Sequence, residues 1–125
     1  MTVLRRKPTD AELAILRVLW GRGPSTVREV VDAIGRETGY TTVLKTLQIM
    51  TEKKLVTRDE SARTHVYQAA YTEDQTQRHL VRDLINRAFE GSAAKLALQA
   101  LESGNASPEE LDAIRVLIER HRGSR

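Results

Sequence analysis

The chain has no cysteine, one tryptophan and an aromatic content of only 4%. Without thiols there is no disulfide framework, no thiolate zinc or iron–sulfur ligation and no cysteine nucleophile. Long apolar runs are missing too. The longest, such as Leu13-Ala14-Ile15-Leu16, span only a few residues, so no membrane insertion is predicted. Arg5, Arg6 and Lys7 lie near the start, but no apolar stretch of signal-peptide length follows them. These absences predict a cytoplasmic protein. What remains is a chain of 125 residues, 40% hydrophobic and 30% charged, as in an ordinary soluble globular protein, and suited to one domain or to one small domain plus an accessory segment. That length buries a core without covalent staples.

Catalytic signals are absent as well. No GxSxG, HExxH, phosphate-loop or GxGxxG pattern occurs. His65, His79 and His121 have no second ligand at helical spacing. Asp10 with Glu12, and Glu109 with Glu110, are better explained by helix N-termini than as acid–base pairs. No catalytic residue, metal or cofactor is predicted, and the chain is not read as an enzyme.

The charge is uneven. Residues 1–70 hold 12 Lys and Arg against 8 Asp and Glu, whereas residues 71–125 hold 8 against 9. A basic front and a near-neutral back suit a polyanion partner for the front alone, provided that the cations share a face.

Hydrophobic spacing gives the elements. Thr9-Asp10-Ala11-Glu12 has capping-box form and opens a first helix with Leu13, Leu16 and Trp20 on its stripe and Leu19 beside them. Trp20 is expected in the core. Thr26 and Glu29 cap a second helix with Val27, Val30, Val31 and Ile34 inward. A third helix runs from Tyr40 to Lys54, with Val43, Leu47 and Met50 inward and Leu44 at the edge. Leu55–Asp59 and His65–Ala69 are rich in β-formers and flank a polar turn, which predicts a hairpin. Helices two and three joined by a short Gly-bearing turn, then a hairpin, make a winged helix-turn-helix. The rest is helical. Thr72…Gln75 and Ser107-Pro108-Glu109-Glu110 open two of its helices, and Gly91-Ser92 interrupts between them.

The third helix differs from an ordinary solvated helix. Its outward side carries Thr41, Thr42, Lys45, Gln48 and Glu52, with Ile49 among them. Short hydrogen-bonding residues near a helix N-terminus suit base edges and phosphates in a major groove. Thr41 and Thr42 are expected at the helix start, where one caps as well as contacts. Lys53, Lys54 and Arg58 lie where the helix runs into the wing and flank the DNA backbone on this reading. Arg63 sits at the wing tip, near a phosphate or a narrow minor groove. Each has a plainer alternative as a solvated surface residue, and Ile49 has one as a packing residue for the C-terminal helices.

Tyr40-Thr41-Thr42-Val43 followed by Leu47-Gln48 and Glu52-Lys53-Lys54-Leu55-Val56 resembles a known pattern. So does Leu13 to Trp20 followed by Gly23-Pro24 and Val27-Arg28-Glu29-Val30, together with Arg63, His65 and Tyr67. From about Pro8 to Arg120 the chain resembles the penicillinase-repressor (BlaI/MecI/CopY type) family of bacterial transcriptional repressors. The resemblance implies a mainly α fold: a winged-helix DNA-binding domain over residues 1–71 and a helical dimerisation region over residues 72–125. It implies a homodimer on double-stranded, roughly palindromic operator DNA, controlling a stress or cell-wall and antibiotic-response operon. The dimer would give Leu80, Leu84, Leu96, Leu101, Leu111, Ile114 and Ile118 somewhere to be buried. The alternative is a monomer whose rear helices pack on the front.

Three departures qualify the resemblance. Copper-responsive members carry a C-terminal cysteine pair, which this chain lacks. Members of the resistance branch are cut at an Asn-Phe bond through a membrane metallopeptidase sensor. The corresponding stretch here, Leu98-Gln99-Ala100-Leu101, has no such dipeptide, so the resemblance implies such a sensor as a partner while its cleavage site is unassigned. At Ile49 many relatives carry Arg, which implies a lost phosphate contact or a different operator. The competing function is a winged-helix protein-interaction module without specific DNA binding.

Overall fold

The computed structural model describes residues 7–123. Local caps decide where most helices begin. Helix α1 (Asp10–Arg22) starts at Thr9, whose hydroxyl accepts from the Glu12 N–H while Glu12 accepts from the Thr9 N–H. The same reciprocal box, Thr26 with Glu29, starts α2 (Val27–Ile34). A single 3-10 turn (Arg36–Thr38) then leads into α3 (Tyr40–Glu52). Strands β1 (Val56–Asp59) and β2 (Val66–Ala69) form an antiparallel pair, with Val56 opposite Ala69 and Arg58 opposite Tyr67. After them come α4 (Glu73–Ala88), α5 (Ala93–Glu102) and α6 (Pro108–Gly123), opened by Thr72, Ser92 and Ser107 respectively. The described residues are thus mostly helical with one hairpin, the winged-helix arrangement that the sequence predicts.

Twelve apolar residues form the core. Ile15, Leu16 and Leu19 come from α1, Val27, Val30 and Val31 from α2, and Val43, Leu47 and Met50 from α3. Leu55, Val56 and Tyr67 close it from the hairpin side. The α2 and α3 stripes match their spacing. The α1 stripe is rotated from the expected one: Leu13 and Trp20 are only partly buried, and the fully buried line is Glu12, Ile15, Leu16 and Leu19. An i, i+3, i+7 pattern fits two neighbouring faces when apolar residues are dense, and the partner elements choose between them.

Trp20 still serves the core from its margin. Its indole N–H donates to the Tyr71 carbonyl at 2.9 Å, tying the end of α1 to the chain just past β2. The segment between α1 and α2 also joins the hairpin. Ser25 and Tyr67 exchange two backbone hydrogen bonds, 2.9 and 2.8 Å long, as an isolated antiparallel bridge. The Ser25 hydroxyl, wholly buried there, donates to the Gly23 carbonyl. These contacts anchor β2, and with it the wing, to the end of α1 and the segment that follows it.

The chain divides into two compact units, Met1–Arg82 and Asp83–Arg125, and α4 runs across the division. No helix is long and apolar enough to cross a membrane among the described residues.

Candidate nucleic-acid interface

Two features set the start of α3 apart. Its N-cap is Gly39, at φ 88°, and no side chain caps it. Neither Thr41 nor Thr42 does so, contrary to expectation. A cap residue must leave the helical backbone region, and only glycine enters that left-handed region freely. Both threonines lie within the first turn, two and three residues past the cap, and stay exposed. Among the described residues, the other five α-helices each begin with a Ser or Thr hydroxyl accepting a backbone N–H. The first-turn amides of α3 thus lack such a partner, at the positive end of the helix dipole.

The outward face of α3 carries the expected groups. Thr41, Thr42, Lys45, Gln48 and Glu52 are all exposed. Ile49 is 40% exposed on the same side, so it does not pack as a core residue. Thr46 and Thr51 turn their hydroxyls back onto the Thr42 and Leu47 carbonyls, each at 2.8 Å, and offer no free donor.

At the far end of α3 the expected cations separate into two kinds. Lys53 does not face outward. Its ammonium donates to both oxygens of Glu12, at 3.0 and 2.9 Å, with side chains only 16% and 4% exposed. That ion pair braces α3 against the start of α1. Arg58 is held between the Tyr67 hydroxyl and the Glu60 carboxylate, which together raise its pKa above the ordinary value. Lys45, Lys54 and Arg63 are exposed, and among the described residues no carboxylate pairs with them. Lys54 sits at φ 67°, the reversal that ends α3 two residues short of the expected boundary and sends the chain into β1. Arg63 lies in the exposed turn of the hairpin, which Asp59 fastens by accepting the Ser61 N–H at 2.9 Å.

Two partners escaped the sequence pattern. The Arg28 guanidinium lies 5.1 Å from the centre of the Tyr40 ring, a cation–π contact across the α2–α3 corner. Glu12 shows only its capping role in the sequence, because its second partner is 41 residues away. No local spacing encodes either contact.

In the rear helices, α5 and α6 bury no residue. Leu84, Leu111 and Ile118 are exposed at 47%, 46% and 52%, while Leu80, Leu96, Leu101 and Ile114 are half-buried. No cluster of three or more His, Asp or Glu residues forms a metal cradle among the described residues.

Comparison with known proteins gives this architecture a family. The penicillinase repressor family model matches residues 8–120. A transcriptional regulator named BlaI from Mycobacterium tuberculosis (strain ATCC 25618 / H37Rv) is 32% identical over 109 residues, which covers 85% of this chain and 78% of that protein. The penicillinase repressor of Bacillus licheniformis is 24% identical over 118 residues, covering 91% of each chain. A match of that extent over a winged-helix front and a helical rear assigns the chain to the penicillinase repressor family, a family of transcriptional repressors and not of enzymes.

Proposed function

We propose that the chain represses transcription as a homodimer on double-stranded operator DNA of roughly palindromic sequence. The observation that carries this is the outward face of α3. It combines an N-terminus without a side-chain cap, four exposed hydrogen-bonding residues and a lysine without a carboxylate partner, on a helix whose other side is locked into the core. Such a helix fits a major groove, with Thr41, Thr42, Lys45 and Gln48 toward base edges and phosphates. Lys54 and Arg63 extend the cationic surface toward the flanking backbone. Arg58 joins them once a phosphate displaces Glu60, and Lys53 acts by holding α3 in place.

Residues 1–71 are the DNA-binding region on this reading and residues 72–125 the dimerisation region. The exposed Leu84, Leu111 and Ile118, with the half-buried Leu80, Leu96, Leu101 and Ile114, supply an apolar surface that a second copy would cover. Two-fold pairing would set two α3 helices against two half-sites. The name of one relative, penicillinase repressor, supports an antibiotic-response operon as the target. Release by a membrane metallopeptidase sensor, which the family resemblance implies, would need a cleavage site other than Asn-Phe, because α5 lacks that dipeptide.

The test is a fluorescence-anisotropy titration against the protein's own upstream DNA and a scrambled duplex, at two salt concentrations. Preferential binding to the upstream duplex, weakening steeply with salt, is the expected result. Absence of binding to either duplex at low salt would overturn it in favour of a protein-interaction module.

A further inference from the structure

Ile49 is the one apolar side chain on the outward face of α3. At 100° per residue it falls on the same flank as Lys45 and Thr42, four and seven residues earlier, and away from the inward line of Val43, Leu47 and Met50. A single exposed isoleucine is common on protein surfaces. This one is set among hydrogen-bonding residues on the surface assigned to DNA, 40% exposed, on a helix braced at its C-terminal end by the Glu12–Lys53 pair. The apolar group that distinguishes one base edge from another in a major groove is the 5-methyl group of thymine, which no other standard base carries. An ionic or hydrogen-bonded contact is chemically closed to it.

We propose that Ile49 is a specificity-determining residue that reads the 5-methyl group of a thymine in each operator half-site. The proposal rests on the placement of α3 in the major groove. It adds a preference that Thr41, Thr42, Lys45 and Gln48 do not by themselves create at that base pair. Burying one methyl group against a hydrocarbon side chain corresponds to roughly a fourfold change in affinity.

The experiment starts with selection of binding sites from a random duplex library by the full chain. Each thymine of the selected duplex is then replaced in turn by deoxyuridine, which lacks only the 5-methyl group. Affinities are measured for the wild type, Ile49→Ala and Lys45→Ala, with circular dichroism to check the fold. The expected result is a thymine whose replacement weakens wild-type binding about fourfold but leaves Ile49→Ala unaffected. Ile49→Ala should bind the thymine duplex about as weakly as the wild type binds the uracil duplex. Equal wild-type affinity for every uracil duplex, or a uracil effect of full size in Ile49→Ala, overturns the proposal. If Lys45→Ala weakens binding in those cases, the placement of α3 survives and only the role of Ile49 fails. No enriched sequence at all, or unchanged affinity in Lys45→Ala, defeats the placement itself and the proposal with it.

Discussion

Glu12 and Lys53 meet across 41 residues in a largely buried ion pair, with the Lys53 ammonium 2.9 Å from Glu12 Oε2. Glu12 also accepts the Thr9 N–H that closes the first turn of α1. One carboxylate therefore fixes a helix start and the far end of α3 together. Removing only the lysine would strand a buried charge. Lys53→Met should cost about 3 kcal/mol of stability, and the double variant with Glu12→Gln should recover much of it. Urea unfolding of the wild type and the two variants measures the difference. Equal stability for Lys53→Met and wild type would show that water already satisfies Glu12.

The two lysines of α3 and its cap should separate in DNA binding. Lys45→Ala should weaken operator binding and lower the slope of log affinity against log salt by about one, as expected for a lost phosphate contact. The Lys53→Met and Glu12→Gln pair, if still folded, should leave that slope unchanged, because the Lys53 ammonium faces Glu12. Titrations over a series of salt concentrations check both.

Lys54 holds a left-handed backbone that costs a non-glycine residue about 1 kcal/mol. Lys54→Gly should therefore hold or raise the melting temperature while weakening DNA binding through loss of a cation. A β-branched residue, as in Lys54→Val, should lower both. Thermal melts and anisotropy on the same samples show whether stability and affinity move apart.

The rear surface predicts its own loss. Leu84→Lys combined with Ile118→Lys should convert a dimer into a monomer and leave the winged helix folded, since neither residue belongs to its core. Sedimentation velocity reads the mass, and the Trp20 fluorescence reports the front unit. A wild-type protein that sediments as a monomer would remove the dimer.

Glu29 carries a lowered pKa, first because it accepts the Thr26 backbone N–H, with Arg22 adding a favourable charge against the opposing effect of burial. A carboxylate lowered on folding stabilises above its unfolded value and loses that contribution as pH falls through the folded one. Glu29→Gln keeps the acceptor and removes the charge. It should be less stable than wild type at neutral pH, and the gap should close as pH falls below the ordinary value of 4.5. Unfolding curves at neutral and acid pH decide it.

What was legible in the sequence was local. The Thr9–Glu12, Thr26–Glu29 and Ser107–Glu110 boxes each close within three residues, so chemistry and spacing alone place those helix starts. The α2 and α3 stripes are legible for the same reason, because 3.6-residue periodicity puts Val43, Leu47 and Met50 on one side whatever they pack against. The outward face of α3 is the complement of that stripe. The tertiary structure decided the rest. It chose the Glu12–Leu19 line over Leu13 and Trp20 in α1, gave the cap of α3 to Gly39, and turned Lys53 inward to Glu12 while leaving Lys45 and Lys54 outside. It also joined Ser25 to Tyr67 and Trp20 to Tyr71. Those contacts join residues 41 to 51 positions apart. Periodicity carries no information over that distance, and only packing of the assembled elements determines which charge is buried and which is left for a ligand.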